Sequence, residues 1–549
     1  MSDAATPSAD SLASRRLLLK EPKIVAGLLR RVLQSTSARP MDALLAMMAV
    51  GVSAWVLIAP FTVVKYPPMT DLPMHAAITS TLRHWFDKRW HFQDQFELQL
   101  LEVPTLTHYL LGAALALFLP ISWAVKLSTS LVLALLPIGL AVYCKGLKKN
   151  PLCGVAAAGL AWGSLSQWGF INYMGSLGLT MMGLGATLLL IERPSRARGV
   201  ALAVISALVF FTHVSRFPIY CAAVTVTTLC MLPFSRRLAP VVVALLPAVG
   251  LFAAWWVIRP SSLSGRIEHG WHFERINEIR GYLLQSFGTP EESEMLDRMG
   301  KIAVGVGLYS FAVNGVVAWR RGVRRPRVGL RGACAFAASL TVVVLFAALF
   351  FWMPMSIGEW WFVYPREITA ACLCSLALLP SLPRSPWLSA PAVVALLFGT
   401  VMPMRFVSQK YAQFDRVTAD FQKIIEQIPR APKLGYMVWD HSGLDSVARP
   451  FLHLPAWVQA EKGGWLSFHF ATWNATPIRF RTKEPKDVAP DTPTRFEWNP
   501  QWFDLQTRGK YFNWFLVRAS FSPDAQFAVD PSLHRVDHQG TWWLYKREE

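Results

Sequence analysis

The chain has 549 residues, 53% of them hydrophobic, and a mean hydropathy of +0.33. A soluble protein of this size needs more polar surface than this composition supplies. The apolar residues form runs of about 20 residues, the length of a helix that crosses a bilayer, separated by short basic or Pro/Gly segments. An outer-membrane barrel would instead show alternation over about ten residues. The sequence therefore predicts an α-helical polytopic membrane protein.

The net charge of +19 would suit a nucleic-acid-binding protein if the basic residues followed one soluble face. They lie instead in short clusters between apolar runs, where they act as topology signals, so no nucleic-acid partner is expected. All seven cysteines lie in or beside apolar runs. Their spacing matches no metal site, and no disulfide is expected in the C-terminal region.

The first 40 residues combine a Ser/Ala-rich start with a basic amphipathic segment, which indicates a helix on the cytoplasmic membrane surface. The run that begins near Met41 has no small-residue cleavage site, so we interpret it as an uncleaved first span. About eleven crossings follow within residues 41–404. We predict them at 41–62, 121–143, 151–170, 174–191, 199–213, 216–233, 239–258, 301–319, 332–354, 366–380 and 387–404.

The apolar segment 104–119 is ambiguous by hydropathy alone. If it does not cross the bilayer, the basic clusters that follow the even-numbered spans fall on the cytoplasmic side together with the N-terminus. If it crosses, the clusters at 145–149 and 193–198 lie outside. We therefore predict that 104–119 is re-entrant or interfacial.

This topology places loops 63–120 and 259–300 and the whole of 405–549 outside the cytoplasm. Residues 405–549 lose the long apolar runs and become rich in Trp, Pro, Asp and His, which predicts a soluble α/β domain. Strands are expected near Lys433–Trp439 and Trp542–Tyr545. Its tryptophans either fill a core, which we favour, or stack against sugars.

Asp71 and His75 follow the first span within the motif Tyr-Pro-Pro-Met-Thr-Asp-Leu-Pro-Met-His. Four residues apart, they share one face of a helix that begins there. An acid and an imidazole in this position can serve as general base and orienter, or bind a divalent cation. Alternatively, Thr70 or Asp71 caps the helix, with Pro73 in its first turn, and His75 lies at the interface. Both interpretations are open at this stage.

Farther along the loop, Pro104 starts the segment 104–119, which would hold Glu102 and His108 near the outer surface, where they can bind substrate. His269, His272 and Glu274 suggest a metal site, but an amphipathic helix explains them equally well. No metal ligands are assigned.

Two arginines lie at the outer ends of predicted spans. Arg216 follows a break that includes His213, and Arg366 follows an aromatic stretch that begins at Glu359. Guanidinium groups bind phosphates through two hydrogen bonds, so both arginines are candidates for the headgroup of a lipid phosphate, with His213 and Glu359 as neighbours. Alternatively, they snorkel beside an ordinary aromatic belt.

This arrangement resembles the GT-C-fold membrane glycosyltransferases, which take sugars from polyprenyl-phosphate carriers. Asp71 matches the early acid of their first external loop. Residues 103–109 loosely match the Pro-Pro-Leu-Tyr-Tyr start of the next hydrophobic segment, and 169–175, with Asn172, resembles a turn in bacterial relatives. The chain departs from the family pattern at Leu72, where many members have a second acid, and at Glu102 and Val103, where many have Lys or Arg before the Pro-Pro segment.

The resemblance implies a glycosyltransferase of the bacterial inner membrane, with the N-terminus cytoplasmic and the C-terminal domain periplasmic. It would move a sugar from a polyprenyl-phosphate donor to a glycan or lipid of the envelope, with membrane lipids around it. Asp71 would be catalytic, and His75, Glu102, His108, Asn172, His213, Arg216, Glu359 and Arg366 would bind substrate. No cofactor is assigned, although a divalent cation is compatible with the chemistry. The alternatives are a lipid or polysaccharide transporter and a non-catalytic subunit of envelope assembly.

Overall fold

The computed structural model describes residues 39–259, 269–322, 329–358, 360–444, 447–473, 475–481, 489–490, 492 and 495–548. The predicted amphipathic segment before residue 39, part of loop 259–300, and Glu359 lie outside these residues. The described α-helices of six or more residues are α1 (Pro40–Thr62), α2 (Leu72–Arg83), α3 (Thr107–Leu115), α4 (Ile121–Leu133), α5 (Leu135–Gly146), α6 (Ile171–Glu192), α7 (Arg196–Thr212), α8 (Arg216–Cys230), α9 (Ala239–Ile258), α10 (Pro290–Arg320), α11 (Leu330–Trp352), α12 (Val363–Ser375), α13 (Pro386–Val417), α14 (Ala419–Ile424) and α15 (Ala456–Lys462).

The strands of the described chain are β1 (Phe96–Leu98), β2 (Ser356–Ile357), β3 (Trp360–Trp361), β4 (Lys433–Val438), β5 (Trp465–Leu466), β6 (Ile478–Phe480), β7 (Trp514–Arg518), β8 (Leu533–Gln539) and β9 (Trp542–Arg547). Between them, short helices of four or five residues occur at Phe92–Gln95, Ala156–Gly159, Ser164–Trp168, Ile279–Leu283 and Asp524–Phe527.

Within the described residues, 7 helices are long and apolar enough to cross a membrane. They are α1, the continuous pair α4 and α5, α6, α9, α10, α11 and α13. Each corresponds to a span predicted from the sequence. The protein is therefore a helical multi-pass membrane protein, as predicted.

The other four predicted spans form shorter helices. α7, α8 and α12 have 17, 15 and 13 residues, and the segment 151–170 is divided into several short helical pieces. A helix rises about 1.5 Å per residue, so these helices are shorter than a 30 Å hydrocarbon core. The count of eleven crossings stays a prediction. The segment 104–119 contains the 9-residue helix α3, and its interfacial position is likewise a prediction.

Helices α5 and α6 pack through glycines, which brings their backbones together. A Cβ atom on Gly139 would lie 2.0 Å from the carbonyl oxygen of Gly178, and one on Gly146 would lie 2.7 Å from that of Gly185. Only glycine allows this approach, which is common where membrane helices associate. The contact fixes α6, and the first turn of α6 forms part of the site described below.

The C-terminal region contains a five-stranded sheet in the order β5-β4-β7-β9-β8. β4 pairs in parallel with β5 and β7, whereas β9 pairs antiparallel with β7 and β8. The strands expected near Lys433–Trp439 and Trp542–Tyr545 are present as β4 and β9. Trp457 and Trp542 are almost fully buried, as expected for core residues.

Loop 63–120 and the C-terminal region form one packed unit. β1 of the loop pairs with β6, so that Phe96 lies opposite Phe480. The Tyr66 hydroxyl donates a hydrogen bond of 3.0 Å to the carboxylate of Glu461 in α15. These contacts hold the residues after the first span against the C-terminal region.

Candidate functional site

A cavity of about 960 Å³ lies between the ends of the helices and the C-terminal region. Its helical wall consists of loop residues and of residues in the first or last turns of helices. The main groups there are Asp71, His75, Tyr109, residues 168–173, His213, Trp360, Trp361 and Arg366. The C-terminal region supplies Leu452, His453, Phe468, Phe470, Trp473, Arg495, Glu497, Trp498 and Asn499. Five predicted site residues, separated by up to 295 positions (Asp71 to Arg366, 366 − 71), thus share one space with residues that were not predicted.

Asp71 precedes the first residue of α2, where a side chain can cap a helix. Its backbone carbonyl accepts the first helical hydrogen bond, from His75 N at 3.0 Å, but its side chain makes no capping bond. The Asp71 side chain is 18% exposed and lines the cavity. The interpretation of Asp71 as a side-chain cap is therefore contradicted, and the carboxylate is available to a ligand.

Burial raises the pKa of the Asp71 carboxyl to about 8, and the positive charge of Arg366 partly opposes this rise. The cause is desolvation, which disfavours the charged form. A carboxyl group with such a pKa exchanges its proton near neutral pH, which is the property that a general base requires.

The backbone turn at Gly169 holds Asp71 in place. Gly169 has a φ of 97°, and a Cβ atom there would lie 2.7 Å from the Asp71 Cβ. The Gly169 carbonyl accepts a hydrogen bond of 3.0 Å from His75 Nε2, so Nδ1 of the neutral ring accepts from the Tyr109 hydroxyl at 2.8 Å. Burial also lowers the pKa of His75 to about 4. With both ring nitrogens engaged, His75 braces the turn and is not a free metal ligand.

Arg366 lies in the first turn of α12 and contributes a cation to the cavity wall. Its Nη2 donates to the Trp361 carbonyl at 2.9 Å, and Nη1 lies 3.3 Å from His213 Nε2. Because arginine only donates, His213 accepts at Nε2 and donates from Nδ1 to Ser215 at 2.9 Å. In the part of the chain that the structure describes, no carboxylate lies within ion-pair distance of Arg366. The guanidinium stacks over Phe170, 4.4 Å from the ring centroid.

Arg216, the other candidate for phosphate binding, does not line this cavity. Its side chain is fully buried and forms an ion pair of 2.6 Å with Glu367. The same nitrogen lies 3.3 Å from the Tyr173 hydroxyl. The structure does not support a phosphate contact for Arg216, because an internal carboxylate already balances its charge. Glu367 is not among the residues predicted from the sequence.

The remaining candidates occupy different positions. Asn172 lines the cavity, and its side-chain oxygen accepts from the backbone N–H of His108 at 3.1 Å. His108 is fully buried, with Nε2 3.0 Å from the Thr129 hydroxyl. Its position near the outer surface of the membrane stays a prediction. Glu102 is outside the cavity wall and pairs with Arg479 at 3.1 Å, which joins the loop to β6. No substrate contact is supported for His108 or Glu102. Glu359 lies outside the described residues.

His453 and Glu497 are two buried titratable groups of the cavity wall that were not predicted as site residues. Each is at most 4% exposed and lines the cavity. Burial lowers the pKa of His453 to about 3 and raises that of Glu497 to about 7, against the opposing charge of Arg495. Neither residue belongs to a recognisable motif, and only the fold of the C-terminal region brings them to the site.

Across the described ranges, no group of three or more His, Cys, Asp and Glu side chains could hold a metal ion. His272 Nδ1 and Glu274 pair at 3.0 Å without a third ligand of this kind. The metal interpretation of that loop is therefore not supported.

Comparisons with known proteins do not assign a family. No protein-family model matches the chain, and no curated protein is significantly similar to it.

Proposed function

We propose that this protein is a GT-C-like glycosyltransferase that moves a sugar from a polyprenyl-phosphate donor to an envelope glycan or lipid acceptor. The observation that supports this function best is that Asp71 and Arg366 line the same cavity. A transfer of this kind needs a base for the acceptor hydroxyl and a cation for the phosphate that leaves. The two residues supply these groups from separate helix ends.

In the proposed reaction, the acceptor hydroxyl gives its proton to the Asp71 carboxylate while its oxygen forms a bond to the anomeric carbon. The bond between that carbon and the phosphate oxygen breaks, and its electron pair stays on the phosphate. Arg366 stabilises the charge that develops there. His213 orients the guanidinium through its contact of 3.3 Å.

The aromatic wall suits a sugar bound between these groups. Phe170, Trp361, Trp473 and Trp498 present rings to the cavity. Aromatic faces pack against the apolar faces of pyranose rings, and polar groups at the rim can bind the hydroxyls.

The residues that line the cavity lie at helix ends and not in the middle of the long helices. This location favours transfer at a membrane surface over a transport path through the midplane.

The first experiment compares Asp71→Asn with wild-type protein in cells, at matched abundance. Asn keeps the size of the side chain but cannot accept a proton. We expect the rate at which the dependent glycan or glycolipid forms to fall by about 10²- to 10⁴-fold. Mass spectrometry of envelope fractions measures this rate. An unchanged product at normal abundance would refute the role of Asp71 and the proposed function.

We further propose that the protein lies in a bacterial inner membrane, with about eleven crossings, segment 104–119 at the interface, a cytoplasmic N-terminus and a periplasmic, soluble C-terminal domain. The positions of the basic clusters support this orientation. Ser520 is exposed in the C-terminal region. A membrane-impermeant maleimide should label Ser520→Cys in intact cells above the background of the wild-type cysteines. Labelling only after the cells are opened would reverse the orientation.

A further inference from the structure

We propose that His453 and Asp71 together bind the acceptor hydroxyl, so that the C-terminal region completes the catalytic site. This inference rests on the proposed function and identifies a binding residue for the same site. It assigns His453 the role of hydrogen-bond donor to the hydroxyl oxygen and leaves proton acceptance to Asp71.

The side chains of His453 and Asp71 lie close enough to contact one ligand atom. His453 Nε2 lies 3.8 Å from Asp71 Oδ1, which is too long for a direct hydrogen bond. The gap is short enough for one oxygen atom to contact both groups. Both residues line the cavity, so a ligand hydroxyl can reach the gap.

The protonation of His453 supplies a hydrogen-bond donor. Its side chain is 3% exposed, and its Nδ1 is buried without a hydrogen-bond partner in the part of the chain that the structure describes. A buried N–H without an acceptor is costly, so the single proton of the neutral ring belongs on Nε2. This places an N–H donor beside the carboxylate. The His453 N–H can then donate to a lone pair of a hydroxyl group while the Asp71 carboxylate accepts the proton of the same group.

Packing fixes the position of His453. The imidazole stacks on Phe468 with centroids 5.5 Å apart and an angle of 11° between the rings, and Phe470 lies edge-on at 5.2 Å. The backbone N–H of Arg449 donates at 3.1 Å to the hydroxyl of Thr70, the residue before Asp71. The segment that carries His453 is therefore attached directly to the segment that carries Asp71.

In the transfer step, the His453 N–H donates to one lone pair of the hydroxyl oxygen, and this lone pair does not form the new bond. The O–H proton points to Asp71, and a second lone pair points to the anomeric carbon. No charge is gained or lost at His453. Its contribution is orientation of the nucleophile, which depends on holding the reacting atoms in line.

The test uses the full-length protein in cells and after purification into lipid nanodiscs. His453→Phe keeps the stacking on Phe468 but removes the donor, and His453→Gln restores an N–H at a similar reach. We expect product formation to fall at least tenfold for Phe and to recover in part for Gln. The matched control is His84→Phe, because His84 also stacks on an aromatic ring, Trp90, with centroids 3.8 Å apart, and does not line the cavity. It should leave the product unchanged.

Binding of undecaprenyl phosphate, measured by quenching of tryptophan fluorescence, separates a local effect from a structural one. His453→Phe should bind this probe within twofold of wild type. A wild-type amount of product from the His453→Phe variant would overturn the inference. It would also be overturned if the Gln variant were as defective as the Phe variant and neither bound the probe. If wild-type protein does not bind the probe, or if Asp71→Asn keeps its product, it is the proposed function that fails.

Discussion

Arg216 Nη1 donates to both carboxylate oxygens of Glu367, at 2.7 and 2.6 Å, and both side chains are buried. Breaking a buried ion pair leaves one charge without compensation, at a cost of about 3 to 5 kcal/mol. The pair therefore belongs to the structure of the helical domain. Arg366, one position before Glu367, points its charge to the cavity instead.

This difference predicts opposite phenotypes for the two arginines. Arg216→Met should lower the abundance and the thermal stability of the protein, because Glu367 is left buried and unpaired. The double variant Arg216→Met/Glu367→Gln should recover most of the abundance. Arg366→Met should keep near-normal abundance but lose product. Immunoblotting of membranes and glycan analysis measure these effects, and normal abundance of Arg216→Met would contradict the assignment.

The raised pKa of Asp71 predicts how activity depends on pH. Below a pKa of about 8, the carboxyl carries a proton and cannot accept another from the acceptor. Product formation by the purified protein should therefore rise with pH and level off above about pH 8, provided that Asp71 is the base. Activity that rises as the pH falls from 8 to 6 would exclude this role.

The same pKa predicts a change in stability for Asp71→Asn. A carboxyl whose pKa rises from 3.8 to about 8 on folding favours the folded state fully below pH 3.8, and this contribution is lost as the pH rises to 8. Asn stays neutral throughout. The variant should therefore gain thermal stability relative to wild type between pH 5 and pH 8.5 while it loses activity. A stability difference that shrinks over this range would show that the carboxyl is not buried as described.

Gly169 should not tolerate alanine. Its φ of 97° disfavours any residue with a Cβ, and that atom would lie 2.7 Å from the Asp71 Cβ. Gly169→Ala should displace Asp71 and reduce product formation by at least about tenfold, since small misplacements are costly in catalysis. The control is Gly305→Ala in α10, where no atom lies within 4 Å and product should be unchanged. Equal activity of the two variants would mean that the turn does not position Asp71.

Glu102 should be nearly neutral to substitution. It pairs with Arg479 at 3.1 Å, and the two side chains are 35% and 40% exposed. Exposed ion pairs contribute about 0 to 1 kcal/mol. Glu102→Gln should keep product formation within about threefold, as measured by the same glycan analysis. If Glu102→Gln lowered product formation as much as Asp71→Asn, the prediction that Glu102 binds substrate would be restored.

The sequence alone determined that the protein is a helical membrane protein. A hydrophobic run of about 20 residues specifies a span through its own length and composition, independently of what it contacts. The strands β4 and β9 could also be predicted locally, as short strand-like stretches in a region without long apolar runs. Asp71 also stood out locally, because it follows directly on the first span at a helix start.

The tertiary structure alone decided which polar residues share a space. Arg216 and Arg366 look equivalent in the sequence, since both open helices at span ends, but Glu367 neutralises Arg216 and leaves Arg366 in the cavity. His453 lies 382 positions after Asp71 (453 − 71), and no periodicity links them. Packing of α15 and its preceding loop on loop 63–120 brings the two side chains to 3.8 Å. Spans depend on local hydrophobicity, whereas a site depends on long-range contacts that no single segment encodes.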